Sequence, residues 1–199
     1  MKQNIKYFGI TLMLIAVVMS PLIGGKMTIN KSLLRGGEGD TPAESVMVKE
    51  VSSVKDNKYG DFTYTKYTNP RFGFGIEYPS FLSDKRESDN GDGIILQNPE
   101  QNVVLIVSGI NNVLGQTPES LFNGYVNNTK GIVYKKLAGN TFMIAAENGE
   151  TVYYIYENVG AGSINTFVVG YPKEDAKEFE KIIKHLKKTF ESPYIHESK

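Results

Sequence analysis

The chain has 199 residues, with 22 Lys and Arg against 22 Asp and Glu and no cysteine. The balanced charge provides no global field to draw nucleic acid or another strongly charged polymer. The missing cysteine removes disulfides, thiolate nucleophiles, sulfur-ligated metals and lipoprotein-type diacylglyceryl anchoring.

At the N-terminus, Tyr7 to Ile23 form an uncharged, mostly apolar run behind Lys2 and Lys6. Burying Phe8 to Met19 in hydrocarbon is favourable while the two lysines stay cytoplasmic, which sets an N-in, C-out orientation and an extracytoplasmic remainder. At about 17 residues the run is at the short end of a membrane span. A cleavable signal peptide shares these features, but its small-x-small site is poorly formed. Pro21 follows Ser20, and cleavage after Gly24 or Gly25 sets Leu22 or Ile23 two residues earlier. Residues 1–25 are read as a single-pass anchor, with a removed signal and a secreted product as the alternative.

From 26 to 58 the chain turns to Gly, Ser, Lys, Asp and Glu, with Gly36-Gly37 and Gly39 near Asp40-Thr41-Pro42. Such a stretch gathers too little apolar surface to offset its ordering entropy and reads as a stalk. Val46, Met47, Val48, Val51 and Val54 are the exception, equally fit for a short strand, a weak helix or unordered chain. Residues 59–193 then make one ordinary domain, and 194–199 a polar tail.

Within the domain, Phe72, Phe74, Ile76 and Tyr78 alternate with Gly73, Gly75 and Glu77, the period of a half-buried strand, which Pro79 ends. Ile94–Leu96, Val103–Val107, Val133–Leu137, Thr141–Ala145, Val152–Tyr156 and Ile164–Val169 follow as strands. Val103, Leu105 and Val107 point one way while Val104 and Ile106 point the other, so the sheet needs a layer on each side. Two helices supply these layers. Thr117 caps one that starts at Pro118 and carries the stripe Leu121, Phe122, Tyr125 and Val126, stopping before Gly131. The other runs from Glu174 to Phe190, with Ala176, Phe179, Ile182, Ile183, Leu186 and Phe190 at three- and four-residue spacing. Its acids lie at the start and its lysines at the end, as the helix dipole favours. Short links such as Gly139-Asn140 and Asn148-Gly149-Glu150 favour hairpins, hence a largely antiparallel sheet.

This order of elements carries a family resemblance. The strand into Asn69-Pro70-Arg71-Phe72-Gly73-Phe74-Gly75-Ile76-Glu77-Tyr78-Pro79, the strand pair, the Thr-Pro helix, then the hairpins to Phe167-Val168-Val169-Gly170-Tyr171-Pro172 and a final amphipathic helix resemble the PsbP-like domain over about Tyr59 to Pro193. That superfamily also holds a nuclear-transport GTPase-binding protein. The resemblance implies an α/β (α+β) fold, an α/β/α sandwich with a central, largely antiparallel sheet, used as a non-enzymatic binding or assembly module. It does not imply photosynthesis, and no binding residue carries over by position.

Chemistry-bearing motifs are sparse. His185 lies between Lys184 and Leu186 in the last helix and His196 in the tail, neither with a second histidine at ligand spacing. His185 reads as a partly exposed helix residue, since a base needs an oriented partner and a nucleophile. Ser108-Gly109 lacks the preceding Gly-x of a nucleophile elbow, and Gly36, Gly37 and Gly39 are not set between a strand and a helix for phosphate. Asp89-Asn90-Gly91-Asp92-Gly93 is the metal candidate, with Asp89 and Asp92 offering hard oxygens to calcium, but it lacks a closing glutamate and fits a plain turn better.

Lys177, Lys181, Lys184 and Lys188 align on one side of the last helix, suited to lipid headgroups or an acidic wall polymer; the plainer reading is a solvated face with a Glu180–Lys184 pair. Tyr153, Tyr154 and Tyr156 join Tyr134 as an aromatic group, part of it core. A solvent-facing Tyr153 would join Arg71 and Arg86 as a protein or glycan contact. The leading reading is a non-catalytic extracytoplasmic module attached to the membrane, with an unknown protein or cell-wall partner, no nucleic acid and no cofactor. A calcium or small-ligand sensor is the alternative. A hydrolase would need Glu77 or Glu147 placed beside Asp89.

Overall fold

The computed structural model describes Lys58–Pro193. The anchor or signal at 1–25, the stalk up to Asn57 and the tail at 194–199 lie outside the described residues. The unit that carries the fold begins at Asp61.

Strands β1 (Tyr64–Thr68) and β2 (Gly75–Pro79) form an antiparallel hairpin that is a sheet of its own. The main sheet contains β3 (Asp84–Glu87), β4 (Gly93–Asn98), β5 (Val103–Asn111), β6 (Ile132–Ala138), β7 (Thr141–Asn148), β8 (Thr151–Val159) and β9 (Ser163–Pro172). Its spatial order is β3-β4-β5-β9-β8-β7-β6, and every neighbouring pair is antiparallel. Helix α1 (Pro118–Asn128) enters between β5 and β6, and α2 (Ala176–Thr189) follows β9.

Register shows which residues share a face, because directly paired residues project to the same side. Ile94, Val107, Phe167, Tyr156 and Met143 form one such row. On their face Phe190 meets Phe167 edge-on at 5.3 Å, and Phe179 lies flat on Tyr171 at 4.3 Å. The β1–β2 hairpin covers the same face beside α2: Phe74 reaches Phe190 at 6.1 Å, and Glu191 exchanges both backbone hydrogen bonds with Gly75. On the opposite face Ser108, Thr166, Glu157 and Phe142 form a row, and Tyr125 and Phe122 of α1 pack on Phe142 at 5.4 and 5.9 Å. The helices therefore lie on opposite sides of one sheet, and the domain is an α/β/α sandwich.

Three local expectations change. The strand expected from Phe72 begins only at Gly75 and takes in Pro79, because the Asn69 side chain folds residues 69–73 into a turn and Gly73 adopts φ +67. That strand pairs outside the main sheet. Two strands also have no apolar signature: β3 is Asp-Lys-Arg-Glu, exposed throughout, and β1 carries only Tyr64 and Tyr67 as large apolar residues. Each is placed by pairing to a buried neighbour.

Gly93 is where the ladder tolerates no side chain. A Cβ there would lie 2.1 Å from the Val107 carbonyl oxygen and 2.8 Å from the Ser108 Cα, both backbone. Gly93→Ala is expected to lower stability by more than about 2 kcal/mol, whereas Gly139→Ala, at φ +57 in open space, costs about 1 kcal/mol, both read from chemical denaturation midpoints.

Candidate functional site

The outer side of α2 carries a row of exposed lysines. Phe179, Ile182, Ile183 and Leu186 turn inward, so Lys177, Lys181, Lys184 and Lys188 project outward together, all exposed. Lys181 Nζ lies 3.4 Å from Glu178 Oε2, a weak solvated pair. The expected Glu180–Lys184 pair does not form, so among the described residues Lys177, Lys184 and Lys188 carry unpaired charges. Lys187 adds a fifth exposed cation at the helix end.

His185 sits on the flank of this row, half-buried, as the sequence indicated. Its Nε2 is 2.8 Å from Glu77 Oε2, and its ring stacks on Tyr64 at 3.6 Å. Burial first, then the nearby Glu178 carboxylate, raises the Tyr64 phenol above its ordinary range. The cluster ties β1, β2 and α2 together. Glu147 pairs with Lys173 at the far side of the face, so Glu77 and Glu147 each have a cationic or imidazole partner of their own.

At the β3–β4 turn, Asp92 accepts from Arg71 and from Asn90 Nδ2, while Asp89 is exposed. A cation on Asp92 would have to displace the Arg71 guanidinium. Among the described residues no group of three or more His, Asp or Glu is placed to hold a metal ion. Arg71 also donates to the Asn90 carbonyl at 2.8 Å, so it binds two loops together.

Arg71, Arg86 and Tyr153 do not form one patch. Arg86 is on the edge strand β3 and Tyr153 on β8, four strand spacings apart on α1's face, about 19 Å. Tyr153 lies over Gly170, where a Cβ would come within 2.9 Å of its ring and 3.0 Å of Val104. Tyr154 and Tyr156 turn to the α2 face, Tyr154 buried there. Ser108 is in the middle of β5 rather than on a turn.

Two residues that the sequence did not single out organise the surface and the core. Asn69, only 1% exposed, accepts from the Arg71 and Phe72 amides at 3.0 and 2.7 Å and donates to the Gly91 carbonyl at 2.9 Å and to the Tyr67 hydroxyl at 3.2 Å. Its only sequence signal is the turn-forming Asn69-Pro70 step. Glu157 is fully buried, with Oε2 accepting from Tyr125 and Thr166. Nothing in its strand context marks it.

No protein-family model matches the chain, and no curated protein sequence does. Among solved structures, the cyanobacterial PsbP (CyanoP) of Synechocystis sp. PCC 6803 matches with TM-score 0.51 at 11% identity, over 68% of this chain and 96% of that one. The Saccharomyces cerevisiae Ran-binding protein Mog1p matches at TM-score 0.44 and 10% identity, over 68% and 97%. LpqN, involved in cell envelope biogenesis of Mycobacterium tuberculosis, matches at 0.41 and 13%, over 66% and 92%. The first match establishes a distant likeness of fold to PsbP; the other two are too loose to support an argument.

Removing the Asn69 side chain leaves the buried Phe72 amide without its acceptor. Asn69→Ala is expected to cost about 2–3 kcal/mol in denaturant unfolding and to speed proteolysis within 69–73 and 88–93.

Proposed function

We propose that the chain is a non-catalytic extracytoplasmic binding module, held at the membrane by Tyr7–Ile23, that engages an acidic envelope partner through the lysine row of α2. The carrying observation is the grouping of Lys177, Lys181, Lys184 and Lys188 on one exposed helix side, with one weak pair among them. Four like charges on a rigid helix attract an anionic surface through additive, salt-screened interactions. The core behind them holds the row in place, since Phe179, Ile182 and Leu186 are at most 1% exposed.

The rest of the domain supports binding over catalysis. His185 is engaged by Glu77 and Tyr64, the neighbouring Thr189 hydroxyl is taken up in donating to the His185 carbonyl at 3.0 Å and accepting from the Glu77 amide at 3.2 Å, and Ser108 lies within a strand. A distant PsbP-type fold agrees with this reading. Export is supported by the N-terminal run; among the described residues no helix is long and apolar enough to cross a membrane.

Replacing Lys177, Lys181, Lys184 and Lys188 by Gln in a chain that starts at Lys26, so that the apolar run cannot hold it on the membrane, tests the surface. Retention on isolated cell envelopes stripped of the native protein should fall about tenfold or more, with unfolding midpoints unchanged within about 0.5 kcal/mol. Wild-type retention should weaken as salt rises. Equal retention of the variant and the wild type removes the α2 row as the binding surface.

A further inference from the structure

Glu157 is a carboxyl group enclosed by apolar chain, and its hydrogen bonding is one-sided. It projects from β8 to α1's face, paired in register with Phe142 and Thr166. Tyr125 donates to Oε2 at 3.2 Å and Thr166 donates to the same oxygen at 3.0 Å, while Oε1 is buried without a partner. A carboxylate in that setting would need hydrogen-bond donors at both oxygens, and Oε1 has none, so ionisation is opposed by the loss of water.

Helix α1 closes the site from above. Its buried side chains are Leu121 and Tyr125, and Tyr125 supplies its hydrogen bond to the sheet. The helix stops at Thr129, whose amide donates to the Tyr125 carbonyl. Around the carboxyl, α1 presents the Tyr125 phenol, β9 the Thr166 hydroxyl and β7 the Phe142 ring; among the described residues no Lys, Arg or His acts on it. The nearest charge on α1, Glu119, is exposed at the first turn.

We propose that Glu157 is a proton-controlled latch for α1: the neutral carboxyl lets the helix stay seated on β6 and β7, and loss of the proton favours a form in which α1 lifts and exposes Phe142, Leu121 and Tyr125. The opened face is apolar and lies across the sheet from the lysine row.

The direction follows from linkage. Burial pushes the Glu157 carboxyl up to about 7 from its ordinary 4.5, with the bonds from Thr166 and Tyr125 acting the other way. The closed form thus binds the proton more tightly than the open one. Its advantage is complete below about pH 4.5, shrinks as pH rises towards about 7 and is constant above that. Tyr125 follows suit, since burial and the neighbouring Glu157 both raise its phenol well above 10.

Amide hydrogen exchange on the full chain, corrected for intrinsic rates, reads the latch between about pH 5 and about pH 8. The opening constant of Leu121–Asn128 should rise about tenfold per pH unit up to about pH 7, about a hundredfold in total, then level off. Amides of β9 and α2 should keep their protection. Glu157→Gln, which retains an oxygen acceptor for Tyr125 and Thr166, should leave α1 protected and flat across the range. A flat wild-type profile overturns the proposal, as does parallel loss of protection in α1, β9 and α2, which reports unfolding of the whole domain. A slope that persists in Glu157→Gln assigns the titration elsewhere and also overturns it. None of these outcomes depends on the lysine row.

Discussion

Phe167 in β9, the middle strand of seven, is the contact on which the domain depends. It is completely buried, Tyr156 stacks beside it at 5.1 Å, and Phe190 meets it edge-on from the end of α2. Phe190 in turn touches Phe74, which brings the β1–β2 hairpin into the same cluster. A sheet whose centre is apolar on both faces is stable only when both faces are covered. Here α2 and the hairpin cover one face and α1 covers part of the other. Everything functional on the surface is held in place by that requirement.

The two covers are attached differently. Helix α2 inserts four buried apolar residues, and the following Glu191 pairs by backbone with Gly75, so its lysine row is rigidly mounted. Helix α1 buries Leu121 and Tyr125 and rests partly on the Tyr125–Glu157 hydrogen bond, a contact whose strength depends on a proton. The firm side presents charge and the conditional side hides apolar surface. The surface cations act through screened electrostatics, whereas the apolar face responds to ionic strength hardly at all.

Much of this was legible in the chain. The apolar runs on both faces of 103–107 required two outer layers, and the spacing from Ala176 to Phe190 and the Thr117-Pro118 cap placed the helices. The lysine row was readable for the same reason, because helix period alone brings residues 177, 181, 184 and 188 together. Strand β3 was not legible: four charged residues become a strand only through pairing with β4. The separate β1–β2 sheet was hidden for a related reason, since the Phe72–Tyr78 alternation runs through a turn that Asn69 creates with its side chain. Arg86 and Tyr153 looked like possible neighbours until register set them four strands apart. Glu157 was invisible because its burial is made by Tyr125, 32 residues earlier, crossing over it. The N-terminal anchor or signal, which the localisation rests on, lies outside the described residues.

Labelling of lysines in intact cells with a membrane-impermeant amine reagent, followed by peptide mapping, reads whether a partner outside the membrane covers α2. Lys135 and Lys136, exposed on β6, are expected to react from outside the cell, while Lys177, Lys181, Lys184 and Lys188 are shielded in cells and react freely in the purified chain. Equal reaction of the α2 lysines in cells and in isolation would contradict a bound partner at that surface. No reaction of any domain lysine in intact cells would contradict the extracytoplasmic placement itself.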